Sequence, residues 1–335
     1  MSTRHPAVHH GARGHVRRPR ARRSLRTVLV AVGAVLALVP AFATLAPSAA
    51  ADERVGEWRH AWEVVRLVQE RPPRGTLVFC FGDSTAREST VRDSRWTRQL
   101  RRRAAAAGKT TAVVAFTMAS HSQTFRMDRQ LVAAMPGREA GRPPGIALVG
   151  VGLSRFIGRP VRQRPAAMEP LTSGQAAIVH PWSQHLYAGR PPLPLAHKRG
   201  LVPRWMDRRW AGFRRWRRAN LRAVAKLLVL CKDRGLLPVL VELPLDVRLV
   251  RHGLDRPRRS YRAGLRRLAA RYGVPYLSLQ RPTPLPTSFY WDLMHLLPPG
   301  TRVWQSRLSD AVVELLPKDD AVGIGAATVA ARRRP

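Results

Sequence analysis

Thr76-Leu77-Val78-Phe79-Cys80-Phe81-Gly82-Asp83-Ser84 is the stretch on which the fold turns. Six uncharged residues, five of them apolar, run straight into Gly-Asp-Ser. A segment rich in Arg and Ala follows and reads as a helix over about 86–107. A short, unbroken apolar run that stops at glycine is the signature of a strand covered on both faces. A serine just past its end lies at the sheet edge, beside a helix N-terminus.

The same alternation repeats outward from this point. Residues 111–118, 146–153, 237–243 and 274–279 read as four more strands. Further helices are expected over about 123–135, 207–234, 258–272 and 301–316. Strands alternating with helices imply an α/β protein: a five-stranded parallel, flavodoxin-like sheet inside a three-layer α/β/α sandwich. Ligands of such folds bind at the carboxyl ends of the strands. Residues 155–207 break the rhythm with many Pro and Gly, and they carry Trp182, Tyr187 and Trp205. A stretch this long between strand and helix is expected to cap the catalytic rim and set substrate choice, with a passive insertion as the plain alternative.

The ends of the chain read differently. Residues 1–26 hold eight Arg and no acid, an apolar run spans 28–45, and Ala49-Ala50-Ala51 offers a small-residue cleavage site. Residues 1–51 therefore read as a signal peptide or, uncleaved, a membrane anchor. The protein is expected to be exported, either secreted or anchored facing outward. Residues 52–74 are expected to form a linker or helix, 75–316 the main domain, and 317–335 a disordered tail.

The formal charge is +38, and +30 without the eight arginines of the leader. Such a charge suits an anionic envelope polymer or membrane surface as partner. It would also suit a nucleic acid, but the export signal argues against that. Only five of the 59 basic residues are Lys, a bias that codon composition alone can produce. The helix over 207–234 interleaves Arg with Trp210, Phe213 and Trp216, the pattern of an amphipathic helix with its aromatics inward. Cys80 and Cys231 lie in apolar runs, outside any metal-binding spacing. His180 and His185 have no acid or Cys beside them and read as loop residues.

A nucleophilic serine needs a base, and the base needs an orienting carboxylate. Asp292-Leu293-Met294-His295, just before the last helix, supplies both. The loop after a fifth parallel strand can return to the rim where the first strand ends, so that His295 meets Ser84. The competing readings are ordinary: Asp83 or Ser84 as a helix N-cap, and D-x-x-H as a loop ion pair. Thr301 is a candidate cap for the last helix.

Gly-Asp-Ser after the first strand, with D-x-x-H before the last helix, resembles the SGNH/GDSL hydrolase family over about residues 75–316. The resemblance implies a serine esterase or acyltransferase without metal or cofactor; taken with the export signal, the expected substrate is an acylated envelope glycan or a small ester. Ser84 would be nucleophile and first oxyanion donor, His295 the base and Asp292 its partner. Two family blocks are altered. Residues 119–123 (Ala-Ser-His-Ser-Gln) lack the family's Gly, and Gly152-Leu153-Ser154-Arg155 lacks its Asn. Ser120 or His121 backbone N–H, the Ser154 side chain and Arg87 are the candidate substitutes. Arg87 also completes a GDS-x-x-R string similar to the PC-esterase and trichome-birefringence-like O-acetyltransferases. An α/β-hydrolase is disfavoured, because its nucleophile follows several strands. A non-catalytic binder of anionic polymers on a decayed fold is the reading from another class.

Overall fold

The computed structural model describes residues 49–137, 145–162, 187, 189–251, 253–280 and 283–317. The expected leader up to residue 48, residues 163–186 of the Pro-rich segment and the tail from 318 lie outside them. From Glu53 onward the described residues form one compact unit.

Five parallel strands pair in the order β2-β1-β3-β4-β5, namely β1 (Thr76–Gly82), β2 (Val113–Ala119), β3 (Gly145–Val151), β4 (Leu236–Glu242) and β5 (Tyr276–Leu277). The helices are α1 (Ala49–Glu70), α2 (Ser84–Ser89), α3 (Asp93–Ala106), α4 (Phe125–Ala134), α5 (Leu195–Asp233), α6 (Val247–Val250), α7 (Asp255–Tyr272) and α8 (Pro298–Leu315). The three-layer α/β/α sandwich expected from the alternation is the observed architecture. After β1 the chain goes to β2 on one side, then crosses to β3 on the other. Ser84 therefore sits where the strand order reverses, the place at which open parallel sheets bind their ligands.

The two-residue period of β1 divides its side chains between two cores. Phe79 and Phe81 join α1, α4, α5 and α7 through Val65, Leu131, Leu228 and Leu265. Val78 and Cys80 join α3 and α8 through Trp96, Leu100, Trp304 and Leu308. Phe81, Trp96 and Trp304 are each fully buried, and truncating any one to Ala would cost about 3–5 kcal/mol. Cys80 and Cys231 belong to opposite cores and are both free, which rules out a disulfide between them.

Some boundaries differ from the pattern. The helix expected over 86–107 is broken into α2 and α3 at Thr90 and Val91, where Thr90 is extended and its hydroxyl bonds the Ala86 and Arg87 carbonyls. Two adjacent β-branched residues favour that break. Helix α5 reaches back to Leu195 straight through Pro203. Val202 and Trp205 are buried, and Lys198 donates to the carbonyls of Thr287 (3.0 Å) and Tyr290 (2.5 Å). Those contacts outweigh the hydrogen bond that Pro203 cannot make. Thr301 is not the cap of α8. Pro298 and Pro299 open the helix, and Thr301 instead donates to Glu88 O at 2.7 Å, tying α8 to α2.

Candidate active site

The nucleophile candidate owes its freedom to its neighbours. Gly82 ends β1 against Ala86, whose Cβ would lie 2.2 Å from any Cβ added at position 82. Only glycine lets the chain turn this sharply into α2. Asp83 then caps the helix, its Oδ1 accepting the Thr85 N–H at 3.0 Å, while Oδ2 accepts the Ser154 hydroxyl at 2.5 Å. With Asp83 as cap, the Ser84 hydroxyl is left for other work. It lies 3.0 Å from His295 Nε2.

His295 is delivered by a tight loop. Tyr290 and Leu296 form an antiparallel bridge, and Trp291 N–H donates to His295 O at 2.8 Å. Asp292 Oδ1 accepts the N–H groups of Met294 and His295, each at 2.8 Å, an aspartate turn that fixes the loop. Asp292 Oδ2 is thereby aimed at His295 Nδ1, 2.9 Å away. The chain Ser84 Oγ, His295, Asp292 is continuous, as the D-x-x-H spacing anticipates.

Electrostatics act in the same direction. Burial alone would lower the His295 pKa, but the hydrogen bond and charge of Asp292, then Asp83 and Glu88, reverse this, and the net shift is upward from 6.5. Burial likewise opposes ionisation of Asp292, yet its bonds to His295 and Met294 hold its carboxyl below the usual range.

The candidate oxyanion donors fare differently. Ser120 N–H is committed to Gly82 O at 3.3 Å, and His121 N–H to Glu57 of α1. Arg87 is fully buried, paired with Glu57 and with Glu88 at 2.7 Å, and does not line the cleft. Through Glu57 it braces the 119–123 turn instead. Ser154 lines the cleft, but its hydroxyl is held by Asp83. Ser84 N–H opens α2, where no intrahelical carbonyl can reach it.

Ser122 is the residue that the sequence did not single out. Its φ is 57°, the left-handed region, and it lines the cleft. It occupies backbone space that favours glycine, within the segment that lacks one. Gln123 locks this turn. It bonds Met118 O and Asp128 Oδ1, each at 2.7 Å, and accepts from Ser120 Oγ at 2.8 Å. Arg155 stands where the altered third block ends. It bonds Asp128 at 2.6 Å and Gly150 O at 2.5 Å, so the buried pair anchors the turn to β3.

The cleft has a volume of about 350 Å³. Of the Pro-rich segment, Tyr187 stacks on Trp291 at 4.2 Å and tilts over His295 at 5.1 Å. Leu193 N–H donates to Trp291 O at 3.0 Å. Trp205 is buried in the core, away from this surface, and Trp182 lies outside the described residues. Arg209 of α5 completes the wall.

No family model matches the chain. No curated protein matches it. Solved structures do. A lipolytic protein of the G-D-S-L family from Veillonella parvula is 11% identical with a TM-score of 0.38, over 70% of this chain and 97% of that one. A GDSL-like lipase from Bacteroides thetaiotaomicron is 12% identical, TM-score 0.38, over 79% and 100%. A carbohydrate acetylesterase from Sinorhizobium meliloti is 10% identical, TM-score 0.33, over 72% and 100%. This chain resembles the GDSL/SGNH hydrolases in the serine after β1 and the D-x-x-H before its last helix, and solved structures similar to it carry that family's name.

Proposed function

We propose that the protein is an exported serine esterase that removes O-acyl groups, acetyl foremost, from a cell-envelope glycan. The observation that carries this reading is the continuous hydrogen-bonded chain from Ser84 Oγ through His295 to Asp292. Ser84 Oγ attacks the ester carbonyl while His295 Nε2 takes its proton. The tetrahedral intermediate collapses, the sugar oxygen leaves with that proton, and acyl-Ser84 remains. Water, deprotonated by His295, then releases the acid. Ser84 N–H is the first oxyanion donor in this scheme, and the 119–123 turn, whose Ser122 lines the cleft, is the expected source of the second. Export rests on the basic, apolar and small-residue order of residues 1–51. The glycan rests on that destination and on hydrogen-bonding side chains such as Ser122, Gln123, Thr124 and Arg209 along the cleft.

The test is hydrolysis of p-nitrophenyl acetate by the full chain and by Ser84→Ala. The variant should lose all activity above background, and equal rates would remove Ser84 from the mechanism. Adding an acylated glycan and free sugar acceptors tells hydrolysis from transfer. Free acid as the sole acyl product identifies an esterase, and acylated acceptor identifies a transferase.

A further inference from the structure

The charges lining the cleft are nearly all committed. Asp83 accepts from Thr85 and Ser154. Asp292 is saturated by His295 and Met294. Arg155 is used by Asp128, Gly150 O and Gln123 O. Arg209 is the exception. It lines the same cleft as Ser84 and His295, it is exposed, and it makes no ion pair or hydrogen bond among the described residues. Asp207 lies two positions away, about 200° around the helix axis, and is exposed on another side. Among the described residues, the one uncommitted formal charge of the cleft is therefore positive.

We infer that Arg209 is a specificity-determining residue that binds an anionic group of the substrate close to the scissile ester. The substrate class is an acylated molecule carrying a carboxylate or a phosphate, such as an acidic sugar unit, rather than a neutral ester. This deepens the esterase reading and rests on Ser84 as the reacting atom. A guanidinium presents a planar fork of donors that matches either anion in two-point contact. A helix rooted by buried Val202, Trp205 and Phe213 holds the base of that side chain in place. Unlike the triad, Arg209 touches no reacting atom, so its contribution is binding and should be weakened by salt.

The experiment compares three aryl acetates on the full chain: 4-acetoxybenzamide (neutral), 4-acetoxybenzoate (carboxylate) and 4-acetoxyphenyl phosphate. At low salt the wild type should favour at least one anionic ester over the amide by about tenfold in kcat/KM, the scale of one charge-assisted contact. Whichever anion is preferred identifies the source. Arg209→Gln should erase the preference and leave the neutral ester within about twofold. Arg209→Glu should reverse it. A preference that survives Arg209→Gln, or no preference in the wild type, overturns the inference. If no ester is turned over, the esterase reading fails, and calorimetric binding of 4-acetamidobenzoate still decides. Binding lost in Arg209→Gln supports the anion site, and binding unchanged refutes it.

Discussion

The two walls of the cleft are built by different means. The 290–297 wall is made by side chains: Asp292 folds its own loop with one oxygen and orients His295 with the other. The 119–123 wall is made by backbone. Two of its N–H groups are consumed by Gly82 and Glu57, one residue sits at φ 57°, and Gln123, Asp128 and Arg155 clamp it from below. Where side-chain chemistry builds a site, the residue types are constrained and leave a motif. Where backbone conformation builds it, many residues satisfy the same geometry and the motif dissolves.

Breaking the first wall should be catastrophic for activity and mild for stability. His295→Ala should lower kcat/KM for p-nitrophenyl acetate by about 10⁵-fold or more. Asp292→Asn should cost about 10⁴-fold and also change the pH profile. The base must be neutral, so activity falls as pH drops through the His295 pKa, which lies above 6.5 in the intact site. Without the carboxylate that holds it up, the acid limb should move to lower pH. An unmoved limb would separate Asp292 from His295.

The second wall should respond to backbone shape rather than chemistry. Ser122→Val forces a β-branched residue into the left-handed region and should cost about 1–3 kcal/mol of stability, with activity falling about 10- to 100-fold. Ser122→Gly should keep full activity and stay within about 1 kcal/mol of wild type. Equal behaviour of the two variants in denaturant titration and assay would show that the turn is not conformationally selected.

Two smaller effects sharpen the contrast by probing what supports the catalytic loop. Lys198→Met strands the Thr287 and Tyr290 carbonyls and should cost about 2 kcal/mol, read as a lower denaturation midpoint. Tyr187→Ala removes the ring stacked on Trp291 and should cost about 1 kcal/mol, with small aryl esters still hydrolysed within a few-fold of wild type. A large loss on such esters would mean that Tyr187 positions His295 rather than merely covering it.

The sheet was legible because β1, β2 and β3 are buried almost throughout and read as apolar runs, whereas the strand expected over 274–279 shrinks to the partly buried edge pair Tyr276–Leu277. Of the three candidate catalytic residues, Ser84 was legible because it follows directly on the apolar run of β1, and Asp292 and His295 because their D-x-x-H spacing precedes the last helix. Helix α5 was read too short because Pro203 looks like a stop, and nothing local reveals that Lys198, Val202 and Trp205 find partners across the fold. Arg87 was attractive as a donor by its place after GDS, but Glu57 lies in α1, 30 residues away in sequence, and claims it. The left-handed turn at Ser122 leaves no trace in residue type. Arg209 is one arginine among many, and only the packing of α5 brings it to the cleft.

The central claim is that Ser84 is a nucleophile activated by His295, and covalent labelling tests it most directly. The full chain is incubated with a fluorophosphonate and followed by intact mass. The account predicts a single adduct mapped to Ser84, absent in Ser84→Ala and formed far more slowly in His295→Ala. No adduct on the wild type, or one that forms at the same rate when Ser84 or His295 is removed, would contradict it.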